Sequence, residues 1–395
     1  MSEDQAATVG VDLRGLQPGY KAHFGRGIGR VARELTLRLP NQAGGPNLVG
    51  LVQAGLEQPA QEYLGGCPRL EIKLPWPRNK ALDRVLGQEL VLPLSIRGRL
   101  GLVHYLAHLD GPAWPGAPAV VTVNDLILAR QAGRLAGGGL ARRLLRALEA
   151  RATRRARLVM AISQTTADEV AEYLGVSPDK IRVVPLAAAQ SFRPVSDGRL
   201  LAEARRKFGL QEEFLLTVGG FDPRKNLPRL IRAFARLVKS GQTRLRLVLA
   251  GSTADSDQVA PVLEAIKNED LSGRVILIGQ VSDQDLPALY SLAQALVFPS
   301  FYEGFGLPAL EAMACGCPVV AARSSSLPEV IGQAGLFFDP SSSQDMAQAM
   351  TRILAEPGLR AQLRERGLER APLFSWEKTA RMVVQVYQEA LGQER

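Results

Sequence analysis

The chain has 395 residues, of which 46% are hydrophobic and 22% charged, the composition of an ordinary globular protein. It has no apolar run near the ~18 residues of a membrane-spanning helix, and its acidic start lacks the apolar core of a signal peptide. With only three cysteines and a length that exceeds one ordinary core, we expect a cytoplasmic protein of two domains.

The net charge of +9 lies almost entirely in the first half of the chain. Residues 1–190 hold 24 Lys and Arg against 16 Asp and Glu, whereas the remainder holds 24 against 23. A basic half favours an acidic partner such as nucleic acid, anionic lipid or a phosphorylated glycan carrier. Residues 142–157 carry seven arginines, which indicates either a solvated amphipathic face or a contact of residues 140–157 with an anionic membrane surface.

Short β-branched runs alternate with helical patterns along the whole chain. The first half contains six predicted strands: Val9–Leu13, Leu48–Val52, Leu102–Tyr105, Val120–Val123, Leu158–Ile162 and Ile181–Val184. The second half contains six more: Phe214–Val218, Leu245–Ala250, Val275–Ile278, Ala295–Phe298, Val319–Ala321 and Gly335–Phe338. This alternation predicts an α/β fold of two doubly wound, Rossmann-like domains.

The predicted domain boundary lies near Gln190–Gly198, where the turn-forming residues Pro194, Ser196, Asp197 and Gly198 cluster. We assign residues 1–192 to an N-terminal domain and residues 193–375 to a C-terminal domain. The last segment, 376–395, has apolar residues at helical spacing and follows a completed α/β pattern. We therefore expect it to form a helix that crosses back to the N-terminal domain.

The richest motif lies between residues 298 and 318. Glu303 and Glu311 flank a Gly-Phe-Gly turn, and Pro308 is predicted to begin a short helix that carries Glu311 in its first turn. Backbone N–H groups of the turn and of the helix start would bind an anion. Carboxylates on either side would bind hydroxyl groups, so the motif favours a ligand with a diphosphate and sugar hydroxyls.

Two adjacent cations follow the first strand of the C-terminal domain. Arg224 and Lys225 come after the Asp222-Pro223 turn, at the carboxyl end of the predicted strand Phe214–Val218. Ligands of such domains bind at the carboxyl ends of the strands, and preorganised cations there would stabilise a departing diphosphate. The alternative is a solvated basic turn.

Two motifs of the N-terminal half follow predicted strands. The glycine-rich segment His23–Arg30 precedes a helical pattern from Val31 to Leu39, an arrangement that allows close approach of a phosphate but also fits a structural loop. Asn124 and Asp125 follow the strand Val120–Val123, where Asp125 fits catalysis and the capping of a local turn equally well.

Metal binding is not expected. The Asp-x-Asp pairs at 255–257 and 283–285 are better explained by helix capping, and His104 and His108 lack the glutamate of a zinc helix. The Cys315-Gly-Cys317 pair is typical of small buried side chains beside a helix end.

Taken together, these motifs resemble glycosyltransferase family 4, the retaining enzymes of the GT-B fold, over nearly the whole chain. The strongest match runs from Pro299 through Glu303 and Glu311 to Pro318, and it is supported by Gly27–Arg30 and Gly219–Asn226. The resemblance implies two Rossmann-like domains facing a cleft. It also implies a nucleotide diphosphate sugar as substrate, no cofactor and no metal.

The resemblance also implies residue roles. For the reaction it implies Glu303, Arg224, Lys225, Asn124 and Asp125. For binding the donor it implies Gly27, Gly29, Gly220, Gln280, Val281, Gly304, Phe305, Gly306, Leu307 and Glu311. Glu303 would contact the sugar hydroxyls, Glu311 the ribose, and Arg224 with Lys225 the diphosphate. The backbone near Gln280 would meet the base.

Two positions depart from the family pattern. Asn124 stands where relatives often have His, and because Asn does not titrate, a general-base role is excluded there. Residues 185–189, Pro-Leu-Ala-Ala-Ala, replace a common Asn-Gly-Val-Asp. Each departure is expected either to reduce activity or to alter which acceptor is used.

The opening Val11–Arg14 with Gly27–Arg30 resembles most the mannosyltransferases that build bacterial surface polysaccharides. On this resemblance we interpret the chain as a retaining hexosyltransferase of surface polysaccharide synthesis, with GDP-mannose as the favoured donor and a glycan or polyprenyl-linked acceptor. The alternatives are a UDP-sugar-dependent transferase, a GT-B epimerase or phosphorylase, or a non-enzymatic basic protein that binds membrane or nucleic acid. Nucleic acid is disfavoured because only 6% of residues are aromatic.

Overall fold

The structure is a computed structural model that describes residues 8–20, 27–76, 79, 82–127, 140–241 and 244–392. Within these ranges, the side chains of residues 27, 28, 84 and 140–146 are not described. The chain divides into two compact units, one formed by Met1–Leu186 with Trp376–Arg395 and the other by Ala187–Ser375.

Unit 1 contains a parallel sheet of seven strands in the order β3-β2-β1-β4-β5-β6-β7. Its strands are β1 (Thr8–Asp12), β2 (Asn47–Gln53), β3 (Arg69–Ile72), β4 (Leu102–Tyr105), β5 (Ala119–Val123), β6 (Leu158–Ala161) and β7 (Ile181–Val183). Its first helices are α1 (Gly27–Arg38), a π-helix (Asp83–Val91) continued by α2 (Leu92–Ile96), α3 (Leu140–Arg155) and α4 (Gln164–Leu174). β5 is buried at every residue, as a strand covered on both faces must be.

Unit 2 contains a parallel sheet of six strands in the order β10-β9-β8-β11-β12-β13. Its strands are β8 (Phe214–Val218), β9 (Arg246–Ala250), β10 (Val275–Gly279), β11 (Ala295–Phe298), β12 (Val319–Ala322) and β13 (Gly335–Phe338). Its helices are α5 (Gly198–Phe208), α6 (Leu227–Lys239), α7 (Ser256–Asn268), α8 (Leu286–Leu292), α9 (Leu307–Ala314), α10 (Leu327–Ile331), α11 (Ser343–Ala355) and α12 (Pro357–Arg370). The two doubly wound domains predicted from the alternating pattern are therefore present.

The last helix, α13 (Trp376–Leu391), returns to unit 1 as predicted. Its apolar side, including Val383 and Tyr387, shares one buried cluster with β1 and α1. The buried ring of His104 in β4 contacts this helix: its Nδ1 lies 2.7 Å from the Tyr387 hydroxyl, and its Nε2 lies 2.8 Å from Thr122 Oγ1. Burial without a charged partner lowers the pKa of His104 to about 3, so the ring is neutral and joins the helix to the sheet.

Three sequence predictions differ from the structure. Strand β3 was not predicted, because the short run Arg69-Leu-Glu-Ile alternates charged and apolar residues at a sheet edge. The division after Leu186 precedes the expected boundary at 192, since Phe192 already packs on Tyr290 of unit 2, with ring centroids 6.2 Å apart. Helix α1 begins at Gly27, four residues before the predicted start, so Gly27 and Gly29 form its first turn rather than a loop.

Candidate active site

The centre of the unit 2 sheet is the place where the direction of strand succession reverses. β8 is followed by β9 and β10 on one side, whereas β11, β12 and β13 lie on the other, so β8 and β11 are neighbours although far apart in sequence. Chain segments leaving the carboxyl ends of such neighbours diverge and open a crevice, which is where ligands of open α/β sheets bind. Lys225 follows β8 at this position, and Glu303 follows β11.

Lys225 and Glu303 form a buried ion pair across that crevice. Lys225 Nζ donates to Glu303 Oε1 at 2.6 Å, and each side chain is only 10% exposed. Arg224 Nη1 donates to the other carboxylate oxygen of Glu303 at 3.1 Å and to the carbonyl of Tyr302 at 3.2 Å. Arg224 also forms an ion pair with Asp222, and its Nε lies 2.9 Å from Asp222 Oδ1. The structure thus brings together the three residues that the sequence predicted as reactive in this domain.

The protonation of Glu303 follows from these contacts. Burial alone raises the pKa of this carboxyl group, but attraction by Lys225 and then by Arg224 acts in the opposite direction. The cations outweigh the burial, so the pKa of Glu303 lies below its ordinary value. Glu303 is therefore a carboxylate at neutral pH, able to accept hydrogen bonds from hydroxyl groups.

Backbone conformation places the two cations. Gly219 has φ +148°, and a Cβ there would come within 3.2 Å of the Nζ atom of Lys225, so a side chain at 219 would displace the lysine. Asn226 adopts φ +58° directly before α6, and its Nδ2 donates to the carbonyls of Pro299 and Pro340 at 3.1 and 2.8 Å. These bonds join the end of the basic turn to the chain that leaves β11 and to the chain that leaves β13.

Three consecutive serines after β12 hold the loop that carries Glu303. The Glu303 N–H donates to Ser325 Oγ at 2.9 Å, Ser326 Oγ donates to the Glu303 carbonyl at 2.9 Å, and Ser324 Oγ donates to the Ser300 carbonyl at 2.7 Å. Ser325 has φ +44°, a conformation that costs energy for a residue with a side chain. The sequence showed this only as a serine run, and its position after a strand of the same sheet was the available signal.

Glu311 is the fifth residue of α9, one position further into the helix than predicted, because the helix begins at Leu307 instead of Pro308. Its side chain is buried, and Oε2 accepts the hydroxyl of Tyr290 at 3.2 Å. At the helix start, Gly306 has φ +99°, and a Cβ there would lie 2.6 Å from Leu327. Gly304 and Phe305 precede it in the same buried turn, so the predicted Gly-Phe-Gly turn leads directly into the helix.

The remaining donor-side predictions lie at other strand ends. Gly220 follows β8 and precedes the Asp222 turn, with a would-be Cβ 3.5 Å from Asp222 Oδ2. Gln280 and Val281 follow β10, two strand positions away from β8, and Gln280 is exposed. These residues follow the carboxyl ends of their strands, the edge of the unit 2 sheet at which Glu303 also lies.

In unit 1, the predicted polar pair follows β5. Asn124 is buried and donates through Nδ2 to the Leu106 carbonyl at 3.1 Å, and among the residues that the structure describes its Oδ1 has no hydrogen-bond partner. Asp125 Oδ1 accepts the N–H of Ile127 at 3.3 Å, the local turn contact considered from the sequence. The glycine-rich segment is described only from Gly27 onward, and His23, Gly25 and Arg26 lie outside the described residues.

A buried ion pair at the end of β1 had no predicted role. Arg14 donates to both Asp12 carboxylate oxygens at 2.8 and 2.7 Å, and to the Asp110 carbonyl at 3.1 Å. Its guanidinium lies 5.0 Å from the ring centroid of Tyr20. β1 and β4 are the neighbours at which strand succession reverses in this sheet, so the pair occupies the place that Lys225 and Glu303 occupy in unit 2.

The suspected metal motifs have structural explanations. Asp255 caps α7 by accepting a hydrogen bond from the N–H of Gln258 at 3.3 Å. Asp285 forms an ion pair with Lys207, whose Nζ lies 2.8 Å from Asp285 Oδ2. Cys315 and Cys317 are buried thiols. Among the described residues there is no group of three or more His, Cys, Asp or Glu side chains placed to hold a metal ion. The same residues contain no helix with the length and apolarity needed to span a bilayer.

Comparison with known families agrees with this division of the chain. The model of glycosyltransferase family 4 matches residues 25–188, and that of glycosyl transferases group 1 matches residues 202–370. Among solved structures, sucrose-phosphate synthase of Thermosynechococcus elongatus has a TM-score of 0.75 at 23% identity, covering 98% of this chain and 100% of that one. HepE of Anabaena, in complex with UDP and glucose, has a TM-score of 0.73 at 18% identity over 97% and 99%. These likenesses confirm the predicted GT-B fold.

Curated relatives are similar over part of their lengths. The serotype-specific mannosyltransferase WbdA of Escherichia coli is 35% identical over 58% of this chain and 28% of its own length. The O-antigen chain mannosyltransferase B of the same organism is 34% identical over 59% and 60%. The chain thus spans less than two thirds of these two relatives. A D-inositol 3-phosphate glycosyltransferase of Salinispora arenicola is 32% identical over 75% of this chain and 70% of its own length. On these matches and on the geometry of its strand ends, the chain belongs to the group 1 and family 4 glycosyltransferases.

Proposed function

We propose that this chain is a retaining hexosyltransferase that moves a sugar from a nucleotide diphosphate donor to a glycan or lipid-linked acceptor. The observation that carries the proposal is the cluster of Arg224, Lys225 and Glu303 at the strand reversal of unit 2. Two cations and an ionised carboxylate side by side suit a ligand that offers a diphosphate next to a hydroxyl-rich ring.

The proposed reaction breaks the bond between the anomeric carbon and the donor phosphate oxygen. An acceptor hydroxyl forms the new bond on the same face of the sugar, and its proton passes to the departing phosphate oxygen. Arg224 and Lys225 stabilise the negative charge that grows on the diphosphate, an effect that is large in a buried site. Glu303 accepts hydrogen bonds from sugar hydroxyls and orients the ring.

Donor binding requires the Lys225 ammonium to contact both Glu303 and the diphosphate. A lysine has three N–H donors, so the bond to Glu303 Oε1 leaves two for phosphate oxygens. The Tyr290 bond to Oε2 of Glu311 orients that carboxylate, which we propose binds the ribose hydroxyls. Gly304, Phe305, Gly306 and Leu307 would supply backbone N–H groups, and Gln280 with Val281 would meet the base.

The favoured donor is GDP-mannose, a choice supported by the two E. coli relatives named as mannosyltransferases. A UDP-hexose is the alternative, favoured by the likeness to a fold solved with UDP and glucose. We propose no metal or other cofactor, and we propose that the reaction takes place on the cytoplasmic side, with an acceptor of surface polysaccharide synthesis.

Thermal unfolding with GDP, UDP and ADP in turn tests the donor site. At about 100 times its dissociation constant, the correct nucleotide should add ~2.7 kcal/mol to the stability of the folded protein. Lys225→Met should abolish the shift, while Lys239→Met, which changes an exposed lysine of the same unit, should retain it. Transfer of radiolabelled mannose from GDP-mannose, with EDTA present, then tests the reaction. Absence of a shift with all three nucleotides would contradict the proposal.

A further inference from the structure

The helical segment 82–96 of unit 1 presents apolar residues to solvent. Among the residues of this segment whose side chains are described, every exposed one is aliphatic: Leu82, Val85, Leu86, Leu90 and Leu94. The side facing the protein carries the buried Leu92 and Ile96 together with Gln88, whose Nε2 donates to the carbonyls of Leu109 and Gly111 at 3.3 and 3.1 Å. A helix on the surface of a globular protein normally has polar residues on its outer side, whereas this segment is apolar on both sides.

Trp114 extends this surface. Its ring is 53% exposed, and the loop that carries it lies directly against the helical segment. Glu89 Oε2 accepts the N–H of Ala113 at 2.7 Å, and a Cβ on Gly116 would fall 2.0 Å from the Pro93 carbonyl. We call the five aliphatic residues together with Trp114 the apolar ridge. Contiguous exposed apolar surface of this kind marks an interaction site.

Arginines border the apolar ridge on two sides. The guanidinium groups of Arg151 and Arg155 in α3 lie 4.2 and 5.5 Å from the ring centroid of Trp114. Arg97 and Arg99, both exposed, lie three and five residues after Leu94. The two carboxylates of the helical segment are engaged, since Glu89 accepts the Ala113 N–H and Asp83 accepts the indole N–H of Trp76 at 2.9 Å. Glu149 of α3 lines a small hollow with Val85 and Glu89. The surface is therefore apolar at its centre and cationic at its margin.

We propose that the apolar ridge docks on an anionic lipid surface. A helix lying in the membrane interface combines aliphatic and aromatic residues on one face with basic residues at its border, and this combination is present here. The arginines would meet acidic headgroups while the leucines and Trp114 enter the acyl boundary. A second copy of the chain fits less well, because joining two ridges would bring their arginines together. The proposal does not depend on the donor site.

The inserted surface therefore differs from the one that the sequence suggested. Residues 140–157 supply arginines at the border of the ridge, whereas the ridge itself supplies the exposed apolar area that would hold the protein at a bilayer. Charge alone gives weak, salt-sensitive attraction, and apolar burial gives most of the affinity. Mutations in the two components should accordingly have different signatures.

Flotation with vesicles tests the apolar component. Wild-type protein should bind vesicles made of equal amounts of phosphatidylcholine and phosphatidylglycerol. In the triple variant Leu86→Ser, Leu90→Ser, Leu94→Ser, the affinity for these vesicles should fall by about 100-fold or more. A matched control changes three leucines of unit 2, each at least 51% exposed: Leu200→Ser, Leu263→Ser and Leu373→Ser. This control should bind vesicles like wild type. Both variants should keep their thermal response to nucleotide, which shows that they fold.

A second variant tests the charged border. Arg151→Gln with Arg155→Gln should weaken binding to the anionic vesicles by about tenfold or more, and added salt should erase this difference. On vesicle binding the fluorescence of Trp114 should shift to the blue, and Trp114→Phe should remove the shift. Equal binding by the ridge variant and the control would overturn the proposal. So would concentration-dependent self-association that is abolished by the ridge variant without any vesicle binding by wild type.

Discussion

Lys225 and Glu303 are 78 positions apart in the chain, yet their charged atoms are 2.6 Å apart. This contact exists because β8 and β11 are adjacent at the strand reversal of unit 2. Each side chain is nearly buried, so the pair must compensate the loss of hydration of both charges. The same pair is the core of the proposed donor site, which links the stability of unit 2 to its chemistry.

A double-mutant cycle measures this link. We expect Lys225→Met and Glu303→Gln each to lower the free energy of unfolding of unit 2 by ~3 kcal/mol, because each leaves its partner buried with fewer contacts. The double variant should lose less than the sum of the two by about 1 kcal/mol or more. Urea unfolding followed by far-UV circular dichroism measures the effect. Additive losses would mean that the two residues do not interact.

Sugar transfer should be impaired in these variants as well as stability. Removing one electrostatic contact to a developing charge typically costs about 100-fold or more in kcat, so the kcat of Lys225→Met should fall by at least that factor.

The contribution of Glu303 to the stability of unit 2 should depend on pH. Because its folded pKa is lowered, the contribution is present above the unfolded pKa of about 4.3 and is lost as pH falls through the folded value. The difference between wild type and Lys225→Met should therefore be constant from pH 5 to pH 8 and shrink in more acid solution.

Ser325 should act as a positioning residue for Glu303. Ser325→Ala removes the acceptor of the Glu303 N–H, and a small displacement of the carboxylate should lower kcat/KM for sugar transfer by about tenfold to 100-fold. The dissociation constant of the free nucleoside diphosphate should not change, since it has no transferred sugar for Glu303 to contact. Ser341→Ala, which removes an exposed hydroxyl bound to Asp339, serves as the control. An equal loss in nucleotide affinity would indicate a general collapse of the loop.

Asn124 should affect transfer without affecting donor affinity. Its buried Oδ1 has no hydrogen-bond partner within the described part of the chain, and Asn124→Ala removes this acceptor together with the bond to Leu106. We expect kcat to fall by about tenfold, equivalent to ~1.4 kcal/mol in the barrier. Nucleotide binding, measured by calorimetry, should match wild type. Asn47→Ala changes an exposed asparagine of unit 1 and should leave both quantities intact. Full activity of Asn124→Ala would exclude Asn124 from the reaction.

His104 should make unit 1 sensitive to acid. Its folded pKa of about 3 lies below the unfolded value of about 6.5, so the unfolded chain binds a proton that the folded chain excludes. Stability is then complete above the unfolded pKa and declines as pH falls, and wild type should lose ~2 kcal/mol more than His104→Gln between pH 7 and pH 5. All three tryptophans, Trp76, Trp114 and Trp376, lie in unit 1, so fluorescence during urea unfolding reports this unit selectively. Identical pH dependence in both proteins would contradict the buried neutral histidine.

Much of the fold was predictable because the signals were local. Runs such as Ala295–Phe298 and Gly335–Phe338 were placed at their observed bounds, since buried parallel strands are continuous apolar runs. β3 escaped because an edge strand does not need such a run. The early start of α1 escaped because glycine has a low helix propensity, which the surrounding structure overrode at Gly27 and Gly29.

The sequence determined which residue types stand at strand ends: two cations after β8, a carboxylate with glycines after β11, and an asparagine after β5. Tertiary structure alone decided that Lys225 binds Glu303 directly, that serines after β12 hold that loop, and that leucines of 82–96 face solvent. The reason is physical. Strand ends are set by local patterns, but partners across a sheet and the exposed side of a helix depend on the order in which distant strands assemble.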